Sequence, residues 1–262
     1  MPVHYEKRNH VGWLTLSRPE ARNAWGEDFN DEITKRCDEM GSDPEIRLAV
    51  LTGDEAGGVF SAGANLKNPR THAQASMAEF IEGLPQRHRS AGQVLTEFPK
   101  PVIAAVNGYA VGIGCIVTYC CDLIIASDRA EWRLPQVALG ILPNHGGIVR
   151  LARWVGKGQA MKVAMGYPMK AEEAFRFGLA QWLVPHAELM AQALAVADHV
   201  AGMPPLAVRM VKESLNRGQD IPNIADASLV DSYRFMVLEM SEDKAEAHEA
   251  WRERRKPRFR GR

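Results

Sequence analysis

The stretch that decides the fold runs from Lys100 to Asp128 and reads KPVIAAVNGYAVGIGCIVTYCCDLIIASD. From Pro101 to Cys121 it contains no charged residue, and a transmembrane helix needs about 20 predominantly apolar residues. Glycines break the run, beginning at Gly108, so one uninterrupted helix describes it poorly. We therefore reject a membrane span and expect no membrane partner.

The same stretch is better described as three buried pieces. It predicts a strand at Val102–Val106, a glycine-rich turn at Gly108–Gly114, and a short helix that begins at Ile113 and leads to strand Leu123–Ala126. The first N–H groups of a helix have no partner within the helix and suit anionic oxygen. The turn lacks the third glycine of the dinucleotide fingerprint and the lysine of the phosphate loop. The residues therefore favour an oxyanion hole built from main-chain donors.

Composition limits the remaining possibilities. The chain has 262 residues and 29.0 kDa, with 46% hydrophobic and 24% charged residues, enough for one large domain or a domain with an appendage. A net charge of zero argues against nucleic acid as the main partner. The polar N-terminus is unlike a signal peptide and predicts a cytoplasmic protein. No cysteine spacing typical of a metal site occurs, so we expect core thiols and no metal.

The pattern along the chain is typical of repeated ββα units followed by an all-helical end. The predicted elements are a hairpin of Val3–Arg8 and Val11–Ser17, a helix from Gly26 to Gly41, a strand at Ile46–Thr52, helical segments within 71–98, a strand at Glu131–Leu134, helices beginning at Gly147, Lys157 and Ala171, a strand at Gln181–Val184, and helices at Ala187–Gly202, Pro205–Arg217, Ile224–Glu239 and Glu242–Arg254.

Five motifs then narrow the class of protein. They are RPEARNA at 18–24, FSAGANL at 60–66, KPVIAAVNGYAVGIGC at 100–115, GILPNHGGIVRL at 140–151, and a tail with Trp251, Pro257 and Phe259. In this order they resemble the crotonase superfamily, best known for the enoyl-CoA hydratases and isomerases, over nearly the whole chain. The resemblance implies an α/β fold, a crotonase-like spiral of ββα repeats over 1–200. It also implies a C-terminal helical region over 201–262 that assembles homotrimers or homohexamers.

The resemblance also implies a ligand. It would be an acyl-CoA thioester, with coenzyme A as part of the substrate and no further cofactor. Its carbonyl would lie between the main-chain N–H groups of Ala64 and Ile113. The basic tail from Arg252 to Arg262 would reach the CoA phosphates, or would simply be a solvated tail. The residues that would line the CoA path are Arg22, Ala24, Ala62 and Leu66.

Three positions depart from the family pattern. Ile116 and Gln136 stand where hydratases carry glutamates, and Asn144 stands where dienoyl-CoA isomerases carry an aspartate. An amide is not a usable acid or base near neutral pH, and isoleucine is neither. Ordinary water addition by two glutamates is therefore not expected.

His145 is the nearby side chain that titrates near pH 7. In 4-chlorobenzoyl-CoA dehalogenases, which resemble this family, the matching position carries the nucleophilic aspartate. An imidazole there would act as a general base, with Gln136 and Asn144 holding a water molecule. The alternative is that His145 is a hydrogen-bonded loop residue beside two glycines.

Three functional hypotheses follow. The first is an acyl-CoA-processing enzyme of the enoyl-CoA hydratase/isomerase family that stabilises a thioester enolate or oxyanion. The second is a variant hydrolase, isomerase or dehalogenase that uses His145. The third is an acyl-CoA-binding protein without catalysis, motivated by the missing acids at Ile116, Gln136 and Asn144.

Overall fold

The computed structural model describes residues 2–65 and 90–262. Within these ranges the strands form a large sheet of order β1-β2-β3-β4-β6-β9 and a small sheet of order β5-β7-β8. Their bounds are β1 (Val3–Arg8), β2 (Val11–Leu16), β3 (Leu48–Gly53), β4 (Val102–Val106), β5 (Tyr109–Val111), β6 (Leu123–Ser127), β7 (Glu131–Arg133), β8 (Met169–Lys170) and β9 (Trp182–Val184).

The helices lie between these strands and form the whole C-terminal end. Their bounds are α1 (Glu27–Ser42), α2 (Ala91–Glu97), α3 (Ile113–Tyr119), α4 (Gly147–Ala164), α5 (Ala171–Arg176), α6 (Leu189–Ala201), α7 (Pro205–Gly218), α8 (Ile224–Glu239) and α9 (Glu242–Glu253). None of the helices in the described ranges is both long enough and apolar enough to cross a membrane. The division of the chain at residue 200 stays a prediction.

Successive ββα turns build the spiral. One turn consists of β4, β5 and α3, and the next consists of β6, β7 and α4. In each turn the first strand joins the large sheet and the second joins the small sheet. From β2 to β9 the neighbours in the large sheet are parallel, whereas β1 pairs antiparallel with β2. From β4 to β7 the chain therefore changes sheet between consecutive strands.

The central strands β3, β4 and β6 of the large sheet are buried and almost entirely apolar, as expected for parallel strands covered on both faces, whereas the edge strand β1 is mostly polar and exposed. Alternate residues of β3 face opposite sides. Leu48 and Val50 pack in the cluster that contains α6, and Leu51 packs in the larger cluster that contains Phe29 and Ile33 of α1.

Most predicted elements are confirmed, including the bounds of β1, β4 and α8 and the start of α3. The predicted second helix start at Lys157 corresponds to a break inside α4, where Gly156 has φ 76° and ψ 161°. The predicted turn at Gly108–Gly114 is wrong in part, because β5 lies inside it and pairs in parallel with β7. β8 was not expected. Of the stretch 71–98, residues from 90 onward are described, and they include α2.

A buried ion pair attaches the C-terminal helices to the spiral. The Lys212 ammonium on α7 lies 2.8 Å from the Asp122 carboxylate, with the two side chains 7% and 19% exposed. It also donates to the Lys100 carbonyl at 2.9 Å, and Asp122 accepts from the Val102 N–H at 2.7 Å. Burial raises the pKa of the Asp122 carboxyl, and Lys212 opposes that rise. Each charge is therefore compensated only while the other is present.

We predict that Asp122→Asn lowers the free energy of unfolding by about 3–5 kcal/mol, because it leaves the Lys212 ammonium buried without a counter-charge. The double variant Asp122→Asn/Lys212→Met, in which the amide oxygen at 122 can still accept the Val102 N–H, should recover most of that loss. Urea unfolding at fixed protein concentration measures both.

The exposed pair Arg153–Asp220, with side chains 48% and 65% exposed, provides the control. Asp220→Asn should change the free energy of unfolding by no more than about 1 kcal/mol. If Asp122→Asn had an effect as small as Asp220→Asn, the buried pair would not hold α7 in the way described.

Candidate active site

The loop that carries Ala64 lies between β5 and the segment around Trp25. Ser61 forms a parallel bridge with Ala110 of β5. On the other side of the loop, the Trp25 N–H donates to the Gly63 carbonyl at 2.7 Å. The loop is thereby held from both sides by main-chain hydrogen bonds.

These bonds fix the direction of the Ala64 N–H. The peptide between Gly63 and Ala64 is trans, so its N–H points opposite to its carbonyl. Because that carbonyl points to Trp25, the Ala64 N–H points away from Trp25, toward the side of β5. Gly63 has φ 87°, and a Cβ there would lie 2.8 Å from the Val111 carbonyl oxygen. Only glycine allows the segments around residues 63 and 111 to approach this closely.

The second donor begins helix α3. The Gly112 carbonyl accepts the N–H of Ile116 at 3.2 Å, so the N–H of Ile113 in the same peptide points out of the helix N-terminus. Gly112 has φ 55° and ψ −113°, a conformation that glycine tolerates best. Its own N–H donates to the Arg133 carbonyl at 2.8 Å, which ties the turn to β7.

The two donors lie on adjacent, parallel segments. Ser61 and Ala110 are opposite each other, and three residues further along each segment lie Ala64 and Ile113. A Cβ at Gly114 would lie 2.8 Å from the Cβ of Ser61, so the segments are in contact. Across residues 2–65 and 90–262, no acceptor for either N–H is found. Ala64 is exposed and Ile113 is half-buried.

Gln136 lies beside the same turn, at the start of a 3₁₀ helix. A Cβ on Gly112 would lie 3.4 Å from its Nε2. Its Oε1 is buried and has no hydrogen-bond partner in the described part of the chain. A buried amide oxygen normally accepts a hydrogen bond. The side chain therefore offers an acceptor to a water molecule or to a donor on a ligand.

Ile116 and the loop before α4 form the adjoining wall. Ile116 is 1% exposed, and a Cβ on Gly147 would lie 2.7 Å from its Cγ1. The Gly147 N–H donates to the Asn144 carbonyl at 3.0 Å. Asn144 and His145 are both exposed, and His145 has φ 52°. His145 therefore lies two residues before Gly147, the residue that contacts Ile116. The role of His145 stays a prediction.

The residues expected along the CoA path flank Ala64 on one side. Ala62 and Arg22 are exposed, and the Ala62 N–H donates to the Arg22 carbonyl at 3.0 Å. Ala24 is half-buried. Leu66 lies outside the described residues.

The basic tail follows α9. Trp251 is 81% exposed and lines an open cavity of about 550 Å³ together with Arg252, Arg254 and Arg255. Arg255 pairs with Glu246 at 2.6 Å. The expected contact between this tail and CoA phosphates stays a prediction.

Two residues at this site were missed from the sequence, Asn23 and Ser61. Both are fully buried. The Asn23 side chain bonds to Arg18 and Val59, and the Ser61 hydroxyl donates to the Asn23 carbonyl at 2.8 Å. The one available signal was an asparagine in a predicted turn, where its side chain commonly bonds nearby backbone.

Cys115, next to the glycine turn, is a core thiol. It is buried, and its Sγ donates to the Ala110 carbonyl at 2.8 Å. Burial raises the pKa of this thiol to about 12, so it carries almost no thiolate at neutral pH. The other three cysteines are buried as well, as expected.

Comparisons with known proteins cover nearly the whole chain. Residues 6–262 match the family model described as enoyl-CoA hydratase/isomerase. The chain is 36% identical over 257 residues to a probable enoyl-CoA hydratase of Mycobacterium tuberculosis, covering 97% of this chain and 96% of that protein. It is 35% identical over 264 aligned positions to the (E)-benzylidenesuccinyl-CoA hydratase of Thauera aromatica, with all of both chains covered. The structure of an enoyl-CoA hydratase from Bacillus anthracis superposes with a TM-score of 0.90 at 28% identity, covering 100% of both chains.

Proposed function

Because the chain belongs to the enoyl-CoA hydratase/isomerase family, we propose that it binds an acyl-CoA thioester with the carbonyl oxygen between the N–H groups of Ala64 and Ile113. One observation carries the proposal: the carbonyls of Gly63 and Gly112 are bound inside the protein, and the N–H groups of the same peptides are left for a ligand. Donors fixed in advance stabilise negative charge as it develops, each by about 3–4 kcal/mol of barrier.

The proton-transferring group in this proposal is His145. Ile116 and Gln136 supply no acid or base, so the wall opposite the carbonyl cannot add water as a pair of glutamates would. The buried Oε1 of Gln136 is an acceptor that would orient a water molecule or a ligand hydroxyl. With an imidazole on the adjoining loop, the arrangement suits hydrolysis or isomerisation through an enolate or oxyanion.

A second candidate is an acyl-CoA-binding protein without turnover. The observation that favours it is the apolar Ile116, 1% exposed and packed on Gly147, together with the amides at Gln136 and Asn144. In that case the two N–H donors would bind the thioester carbonyl without any proton transfer.

Ile113→Pro tests the donor at the helix start. Proline is well tolerated at the first position of a helix and has no N–H, so the change removes the donor and leaves α3 in place. We expect kcat to fall roughly 10²- to 10³-fold on a panel of enoyl-, 3-hydroxyacyl- and 3-oxoacyl-CoA thioesters. Ile113→Val, which keeps the N–H, should stay close to the parent. An Ile113→Pro protein with full activity would remove this residue from the proposal.

His145→Asn tests the imidazole. Asparagine adopts the positive φ of this position readily, so the backbone should be preserved. We expect turnover to fall roughly 10²- to 10⁴-fold, because the imidazole that would transfer the proton is gone. His10→Asn is the matched control, because His10 is also exposed and has φ 65°.

Unchanged turnover in His145→Asn would exclude its catalytic role. The second candidate makes a different prediction. Isothermal titration would then show tight binding of a thioester by the parent protein, while no member of the panel gives product.

We also propose that the chain assembles as a homotrimer or homohexamer through α8. A stripe of large apolar side chains on this helix is 52–62% exposed, a patch that soluble monomers rarely present. Its members are Leu229, Tyr233, Met236 and Val237, and Met240, 89% exposed, follows directly after the helix.

Light scattering should give a mass of three or six times 29.0 kDa. Tyr233→Glu/Met236→Glu should lower that mass, because it places charges in the apolar contact. Lys35→Glu, an exposed position on α1, should leave it unchanged. A parent protein that runs as a monomer would contradict the proposal.

A further inference from the structure

Asn23 joins the segment before α1 to the loop that carries Ala64. Its Oδ1 accepts the Arg18 N–H at 2.9 Å, and its Nδ2 donates to the Val59 carbonyl at 2.9 Å. Its backbone has φ 53°, which asparagine tolerates better than most residues. A Cβ on Gly57 would lie 2.8 Å from its Nδ2, so the amide has no room to move on that side. The side chain therefore connects two loops that are distant in sequence.

Ser61 extends this connection to both donor segments. Its Oγ donates to the Asn23 carbonyl at 2.8 Å and accepts the Gly63 N–H at 3.3 Å. Its own carbonyl accepts the Val111 N–H at 2.9 Å. Its Cβ lies against Gly114 of α3. One residue thus contacts the loop before Ala64 and the turn before Ile113.

Gly63, whose carbonyl shares a peptide with the Ala64 N–H, is held by a hydrogen bond on each of its two sides. The Trp25 N–H, two residues after Asn23, holds the Gly63 carbonyl. The Ser61 hydroxyl holds the Gly63 N–H. Asn23 is connected to both of these groups. Trp25 follows it two residues later in the chain, and the Asn23 carbonyl accepts the Ser61 hydroxyl.

We propose that Asn23 and Ser61 are positioning residues that set where the Ala64 N–H lies relative to the Ile113 N–H. Both are fully buried, so they act on the thioester carbonyl only through the two main-chain donors. The inference rests on the proposed function. Loss of either residue lets the Gly63–Ala64 peptide turn, and a misplacement of about 1 Å is worth roughly 10²-fold in rate.

The experiment measures the carbonyl of a bound thioester directly. Acetyl-CoA labelled with ¹³C at the carbonyl is bound to the full-length protein, and infrared difference spectra record the carbonyl band. Two hydrogen bonds from the protein should move the band of the parent complex to lower frequency. Ser61→Ala removes the hydroxyl, and Asn23→Asp replaces the Nδ2 donor by an oxygen that faces the Val59 carbonyl.

We expect both variants to bind acetyl-CoA within about threefold of the parent while losing at least half of the band shift. On any thioester that the parent converts, kcat should fall roughly 10- to 10²-fold with little change in KM. The control is Thr52→Val, which also removes a buried hydroxyl, one that donates to the Ala105 carbonyl at 2.8 Å. It should keep the full shift.

The outcomes distinguish failure of the positioning roles from failure of the proposed thioester binding. Variants that keep the full band shift and the parent kcat overturn the positioning roles alone. A shift lost equally in Thr52→Val also overturns them, because the effect would be a general loss of packing. A parent complex with no shift overturns the proposed function and this inference together. If Asn23→Asp does not fold, as judged by circular dichroism, Ser61→Ala decides.

Discussion

The carbonyl oxygens of Gly63 and Gly112 are bound inside the protein, by the N–H groups of Trp25 and Ile116. In a planar trans peptide the N–H points opposite to the carbonyl. The hydrogen bonds to the two carbonyls therefore fix the directions of the Ala64 and Ile113 N–H groups. The spiral supports this arrangement through β5, which pairs with β7 on one side, bridges to Ser61 on the other and leads directly into the turn before α3. Both proposed donors are main-chain groups rather than side chains. Their positions are therefore set when the chain folds, before any ligand binds.

The elements that the sequence predicted well are those with a local signal. β4 is a buried apolar run bounded by proline and glycine, and α3 begins where that glycine turn ends. β5 and β8 were missed because they are two or three residues long and exist only through pairing with β7. Such pairings depend on segments distant in the chain, and periodicity carries no record of them. The comparisons confirm the α/β spiral that five short motifs implied.

The residues of the candidate site also differ in whether the sequence carried a local signal for them. A main-chain donor at Ile113 was expected from the glycine turn itself, whereas Ala64 was expected only through the family resemblance. Asn23 and Ser61 bond to groups 36 and 38 residues away, and apart from the turn asparagine no local pattern marks them. The Oε1 of Gln136 is buried without a partner among the described residues, and its Nε2 lies beside Gly112; a residue type alone reveals neither.

Family membership therefore says more about binding of the thioester carbonyl than about proton transfer. The donors are backbone groups, and a fold shared at a TM-score of 0.90 preserves the backbone at 28% identity. Proton transfer depends on side chains, and Ile116 and Gln136 stand where the family resemblance implies glutamates. A carboxylate at 116 would be desolvated against Gly147, a setting that raises a carboxyl pKa and suits an acid. An isoleucine there gives an apolar wall that neither charges nor orients water. Among the described residues, the side of Gln136 and the 144–145 loop is where the proposal places proton transfer, and membership in this family points to an acyl-CoA thioester without identifying the reaction.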